Sequence, residues 1–357
     1  MPRTTHHTLR VGALMLGATL LLSGCATSVA AEPAGDQGPA AELRLGHFDN
    51  VTHAPALVGL QNGILEDALG DTTLTTQVFN AGPAAVEALS AGAIDATYIG
   101  PSPAVNTFVQ SGGASAVIVA GAASGGAALV VRDGIDSAAD LAGTTIATPQ
   151  LGNTQDVALR SWLAEEGYET STTGGGDVLV SPTDNAQTLT LFQSGQIDGA
   201  WLPEPWVSRL VLEAGANVLV NEADLWENGD FPTTVLLVRK DFFDEHPETV
   251  QALLEGHLTA VDWLTENPED AAVAINAKLA ADTGKPLADD VIARALTEVQ
   301  FNVNPFASTF PVSLAEAVAA GTGKDGDLNG LFNLSLLNAV LAERGQDSVT
   351  TGGLGTE

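Results

Sequence analysis

The chain of 357 residues has one cysteine, Cys25, so no disulfide can form within it and its stability has to come from a core. Cationic side chains are scarce: 13 Lys and Arg stand against 44 Asp and Glu, a formal net charge of −31. That balance argues against nucleic-acid binding and against adhesion to anionic headgroups. The carboxylates are spread over helices and loops, the pattern of a solvated surface rather than of a cation site. Beyond the first 24 residues no apolar run approaches the length of a membrane-spanning helix. Enzyme motifs are missing too. There is no G-x-S-x-G turn, since Ser124 is followed directly by two glycines and Ser102 is bracketed by prolines. Gly321-Thr322-Gly323-Lys324-Asp325 lacks both the leading glycine and the Ser or Thr of a phosphate loop. The six histidines are scattered, with His6 and His7 near the start and His257 on an apolar helical face, which predicts no metal site and no resident cofactor. The expectation is a protein that performs no catalysis.

What is present begins with Arg3 and Arg10 ahead of an apolar run, 11–22, too short to span a bilayer comfortably and suited to a secretory signal. The run ends in Leu22-Ser23-Gly24-Cys25. Small residues before a cysteine suit lipoprotein processing, which predicts a signal over 1–24 and a lipid on the Cys25 thiol. Residues 25–41 are rich in Ala, Gly and Pro and predict a flexible tether. The expected place is the cell envelope, outside the cytoplasm, with the membrane reached through the N-terminal lipid.

Strand and helix patterns then alternate. Strands are predicted over 43–48, 74–79, 95–99 and 116–120, with helices over 53–69, 83–91 and 103–110 between them. A second set follows, with strands over 145–148, 178–180 and 199–202 and helices over 154–166, 185–194 and 206–214. The rhythm predicts an α/β protein of two lobes, each a mainly parallel sheet flanked by helices. An internal echo supports the duplication: the run 90–99, SAGAIDATYI, lines up with 193–202, QSGQIDGAWL. Apolar segments 128–131 and 234–238, followed by Arg132 and Arg239, read as a two-strand hinge. Val250, Leu253, Leu254, His257, Leu258, Val261 and Leu264 recur at helical spacing, and those helices are expected to return to the first lobe. Lobe 1 is thus 42–131 with 239–345, lobe 2 is 132–238, and 346–357 is a C-terminal tail.

In open α/β sheets ligands bind beyond the carboxyl ends of the strands. The loops there are Asp49 to Pro55, Asn80 to Pro83, Gly100 to Pro103 and Ser124 to Gly126 in the first lobe. The second lobe adds Gly152 to Asp156 and Trp201 to Trp206. They carry glycine, hydroxyl side chains and proline at first helical turns, and no Lys or Arg. Free N–H groups at helix N-termini make such loops suited to an anion.

Thr52-His53-Ala54-Pro55, Phe79-Asn80-Ala81-Gly82-Pro83, the run 94–104 and the run 195–206 resemble the aliphatic sulfonate, taurine and nitrate group of ABC-transporter substrate-binding proteins, from about residue 43 to at least residue 243. The resemblance implies a type II periplasmic-binding fold, a small-molecule ligand enclosed between lobes, and delivery to a permease driven by an ATPase, by a monomer. Carried over by motif, Thr52, His53, Gly82, Pro101, Ser102, Ser124, Gly125, Thr154, Gln155, Asp156, Trp201 and Glu204 fall on ligand-facing loops. An aliphatic sulfonate or taurine is the expected ligand, with Trp201 as a wall for its carbon part and Glu204 with Asp156 placed to attract an amino group. Nitrate or bicarbonate, a pyrimidine vitamin precursor, or a sensory lipoprotein of the same fold are the alternatives.

Overall fold

The computed structural model describes residues 35–357; the predicted signal, Cys25 and the tether as far as residue 34 lie outside the described residues. The last part of the predicted tether is tied down. Gln37 N–H donates to the Glu245 carbonyl (2.7 Å), Ala40 N–H to Thr249 Oγ1 (2.8 Å), and His246 Nδ1 to the Gly38 carbonyl (2.8 Å).

The first lobe opens with β1 (Glu42–Phe48), α1 (Ala54–Gln61), α2 (Ile64–Leu69), β2 (Thr73–Phe79), α3 (Gly82–Ser90), β3 (Ala96–Ile99), α4 (Pro101–Gln110) and β4 (Ala116–Gly125). The one helix expected over 53–69 is two, because Gly63 adopts φ +71° between them. The second lobe holds β5 (Ala127–Val131), β6 (Thr145–Thr148), α5 (Thr154–Glu165), β7 (Leu179–Pro182), α6 (Asn185–Gln193), β8 (Gly199–Pro203), α7 (Trp206–Ala214) and β9 (Asn217–Asn221). β10 (Pro232–Arg239) returns to the first lobe. It is followed by α8 (Lys240–Glu245), α9 (Pro247–Glu266), α10 (Pro268–Thr283), α11 (Asp289–Thr297), β11 (Val299–Phe301), α12 (Phe310–Ala319), β12 (Phe332–Asn333), α13 (Ser335–Glu343) and β13 (Gly355–Thr356). The predicted tail therefore contributes a strand, β13, to the first sheet.

The first sheet runs β13-β12-β4-β10-β3-β1-β2, with β11 also paired to β4, and the second runs β7-β6-β8-β5-β9. β2, β1 and β3 are parallel, as are β7, β6 and β8, while β10 and β5 run against their neighbours. Both sheets are thus mixed, with most strands in one direction as expected and β10, β11 and β5 set against them. A parallel pair needs a crossover connection. β5 and β10 instead arrive straight from the other lobe, entering at the edge where the parallel strands leave.

These two strands and β4 are buried along nearly their whole length, which accounts for their unbroken apolar runs. Around β5 and β8 the two faces feed separate cores. Ala128, Val130, Ala200 and Leu202 pack with Phe192 and Leu210, whereas Leu129, Val131 and Trp201 pack with Trp162 and Leu163. The lobe crossings differ from those expected near Val131 and Val238. β4 passes into β5 through Gly125 and Gly126, both at φ +70°, where a Cβ on Gly126 would stand 2.4 Å from Val299 Cγ2. Left-handed backbone and close approach both require glycine there. The return crossing is the segment 222–231, braced by Trp226 stacked on Phe231 at 5.8 Å. No helix among the described residues is long and apolar enough to cross a membrane.

Candidate functional site

Helices α1, α3 and α4 of the first lobe and α5, α6 and α7 of the second begin beside one cleft. Its inner part is a space of about 20 Å³ lined by Phe48, Thr52, His53, Gly100, Thr154, Gln155 and Thr233, among others. Its outer part is a cavity of about 380 Å³ lined by residues that include Trp206, Arg209, Lys285 and Leu287. Asn50, Asn80 and Asn185 line both. The inner space is about the size of one water, so the lobes are nearly closed at depth. Hydrogen bonds cross the cleft: Val51 N–H to the Glu204 carbonyl (3.1 Å), Trp206 Nε1 to Asn50 Oδ1 (2.9 Å), and Gly82 N–H to Asn153 Oδ1 (3.2 Å).

The inner lining is uncharged. Phe48 N–H donates to His53 Nδ1 (3.3 Å), and the ring stacks on Phe48 at 4.3 Å. Burial holds His53 well below the ordinary histidine range, so the ring is neutral with Nδ1 as acceptor, and Nε2 carries the hydrogen as a donor. Thr154 Oγ1 and Asn185 Oδ1 are buried without partners. The outer cavity supplies charge. Arg209 lies over the Trp206 ring (4.9 Å) and pairs with Glu213 (3.1 Å). Asp49, which lines the same cavity, is pushed up to about 7 by burial and by facing Asp282.

Of the residues singled out from sequence, Thr52, His53, Thr154 and Gln155 converge on the inner space, and Gly82 borders it through Asn153. Pro101 and Ser102 line a separate crevice with Glu222, Phe231 and Glu316. Ser124 accepts from Asn302 Nδ2 (3.3 Å), and Gly125, whose carbonyl accepts from Thr233 Oγ1, forms the lobe crossing. Three further placements correct the expected chemistry. Trp201 has no exposure, sits in the second-lobe core edge-on to Trp162 (6.1 Å) and donates Nε1–H to Glu222 (2.7 Å), so it walls no ligand. Asp156 is fully buried, pairs with Arg160 (3.1 Å) and accepts from Thr148 Oγ1 and Gly152 N–H, both at 2.9 Å. Glu204 accepts from Arg294 (2.9 Å) and from Ser208 N–H (3.0 Å), while burial pushes its carboxyl above the ordinary value. Neither carboxylate is free to attract an amino group.

Sequence reasoning missed Asn50, Asn80 and Asn185 as individual contacts; Asn50 and Asn80 lie in loops it had chosen, whereas Asn185 opens α6 after a connection it had passed over. It missed Trp206, Arg209 and Lys285 as cavity wall. Trp206 was legible as the last residue of the chosen Trp201 to Trp206 loop, whereas nothing local marks Lys285, which arrives on the α10–α11 connection.

A family model described as the NMT1-like family matches residues 36–280. The taurine-binding periplasmic protein of Escherichia coli is 28% identical over 200 residues, 55% of this chain and 59% of that protein. The chain spans about 60% of the length of the first curated relatives that it matches. Among solved structures, the alkanesulfonate-binding protein SsuA of Xanthomonas axonopodis, bound to MOPS, is similar with a TM-score of 0.67 at 24% identity, over 80% of this chain and 95% of that one. The periplasmic nitrate-binding protein NrtA of Synechocystis gives a TM-score of 0.69 at 16% identity, over 85% of this chain and 89% of that one. Two α/β lobes with mixed sheets are the fold these proteins share.

Proposed function

The chain belongs to the NMT1-like family, and we propose that it is the extracytoplasmic solute-binding subunit of an ABC importer, holding a small organic anion between its lobes and handing it to a permease. In this reading it is a monomer anchored by a lipid on Cys25, and it performs no chemistry on its ligand. The observation that carries the proposal is the cleft: an uncharged donor ring of His53, Thr154 and the three asparagines, opening into a larger cavity with Trp206 and Arg209. A sulfonate head fits the junction lined by Asn50, Asn80 and Asn185, with its carbon part in the outer cavity. Because Asp156 and Glu204 are already engaged, an alkanesulfonate is favoured over taurine. The names of the taurine- and alkanesulfonate-binding relatives support the same class.

Three or four hydrogen bonds to a charged head, at about 1.5–3 kcal/mol each, offset association costs and leave micromolar binding, about −8 kcal/mol. Calorimetry against short alkanesulfonates, taurine, nitrate, bicarbonate and a pyrimidine precursor tests it. Micromolar binding of an alkanesulfonate is expected; binding of the pyrimidine alone would overturn the anion reading.

A further inference from the structure

Beside the cleft, three groups from distant parts of the chain meet. His47 lies near the end of β1 and Asp49 follows directly after that strand. Asp282 comes from the last turn of α10. One ligand atom of each lies within 4.8 Å of the others. The His47 side chain has no exposure, yet neither ring nitrogen has a hydrogen-bond partner; the Asp282 oxygen 3.8 Å from Nε2 is too distant. Asp49 Oδ1 is also buried without a partner. Buried polar atoms are rarely left so, and an imidazole facing two carboxylates is a donor set that a metal ion satisfies.

We propose that His47, Asp49 and Asp282 form a binding site for a first-row divalent transition-metal ion, zinc in the first instance, in the wall of the interlobe cavity. Zinc takes imidazole nitrogen at 2.0–2.1 Å and carboxylate oxygen at about 2.0–2.2 Å, which sets donors about 3.4 Å apart in a tetrahedron. Drawing the three atoms together by up to about 1.4 Å reaches that spacing. Lys278 Nζ holds the Asp282 oxygens at 2.6 and 2.5 Å and so balances one carboxylate. Among the described residues no cation is paired with Asp49, whose charge a dication would offset. A nitrogen donor selects zinc or cobalt over magnesium or calcium. Asp49 also lines the 380 Å³ cavity, so the fourth coordination position opens where an anion or water can reach it. The inference is independent of the solute proposed above.

Equilibrium dialysis of zinc against the chelator-stripped full chain, and visible absorption of the cobalt-loaded protein, test the site. One zinc per chain with micromolar or tighter affinity is expected, insensitive to millimolar magnesium. His47→Gln and Asp282→Asn should each weaken it at least tenfold and abolish the cobalt ligand-field bands. Absence of stoichiometric binding, displacement by magnesium, or unaltered affinity in a folded His47→Gln protein would overturn the proposal. Should His47→Gln fail to fold, Asp282→Asn, at a side chain 17% exposed, decides by the same criteria.

Discussion

Asp95 and Asp198 occupy the same position in the two lobes. Asp95 N–H donates to the Arg44 carbonyl (2.8 Å), its carboxylate accepts from Arg44 N–H (3.0 Å), and its carbonyl accepts from Arg239 N–H at the end of β10 (2.8 Å). Asp198 repeats each bond, with the Thr145 carbonyl (2.8 Å), Thr145 N–H (2.9 Å) and Arg132 N–H at the end of β5 (3.0 Å). Each carboxylate also pairs with the arginine that follows the strand returning from the other lobe, Arg239 at 3.3 Å and Arg132 at 3.1 Å. The ten-residue sequence echo is therefore a structural repeat, and Arg132 and Arg239 lock the end of the antiparallel strand that each lobe receives from the other.

The two copies should differ in weight. Asp95 is 2% exposed and has a second guanidinium, Arg44, at 2.8 and 2.5 Å, whereas Asp198 is 34% exposed. Asp95→Ala strands two arginines and is expected to cost about 3 kcal/mol, against about 1 kcal/mol or less for Asp198→Ala. Urea unfolding at constant m-value measures both. Equal losses would contradict this ranking.

Stability should fall as pH rises from about 6.5 to 8; below that window the buried histidines His47, His53 and His257, which burial holds below their ordinary 6.5, contribute with the opposite sign. Burial pushes the Glu222 carboxyl up to about 8 from an ordinary 4.5. Between those values the native state keeps a proton that the unfolded chain releases. The stabilising contribution is full below pH 4.5, declines through that window and is gone above pH 8. Glu316, pushed up to about 7 by burial, acts with the same sign. One such group gives a slope of at most about 1.4 kcal/mol per pH unit. Glu222→Gln should flatten the profile measured by urea unfolding; a variant as steep as the parent refutes the assignment.

Ligand binding should track the cleft as built. His53→Ala, Thr154→Ala and Asn185→Ala are each expected to weaken an alkanesulfonate about tenfold, a loss of about 1.4 kcal/mol, while Ser124→Ala changes little. Trp206→Ala should weaken a longer alkanesulfonate more than a short one. Trp201→Ala should instead cost about 3–5 kcal/mol of stability and leave chain-length selectivity alone. Calorimetry on the set decides, and selectivity that moves with Trp201 rather than Trp206 would relocate the carbon-binding wall.

The alternation of elements was legible because its signals are local: apolar period, glycine and proline at the boundaries, and loops at strand ends. The facing of β8 was not. Ala200, Trp201 and Leu202 are apolar in succession because both faces of the sheet are covered, so a period of two cannot say which side chain meets the cleft. The lobe crossings were displaced for the same reason, since β5 and β10 read as linkers and are interior strands paired on both sides. Long-range partners were invisible. Arg294 neutralises Glu204 from α11, and Asp282 meets His47 from α10, although the histidines looked too scattered for any cluster.

Closure itself can be tested at Gly100, where the lobes touch. A Cβ there would stand 2.3 Å from Thr154 Oγ1, on the first turn of α5 in the opposite lobe, and 3.7 Å from the Thr233 carbonyl. Thr154 is buried, so its hydroxyl could turn aside only into packed neighbours, and relief is expected from separating the lobes at the glycine crossing, Gly125 and Gly126, as a rigid-body hinge. Gly100→Ala should therefore leave each lobe folded but hold the cleft ajar. Small-angle scattering of the variant with saturating alkanesulfonate is expected to give a larger radius of gyration than the parent under the same conditions, with affinity reduced about tenfold or more, a loss of at least about 1.4 kcal/mol. An unchanged radius together with unchanged affinity would mean that ligand capture does not require the Gly100–Thr154 approach, and the hinge argument would fail with it.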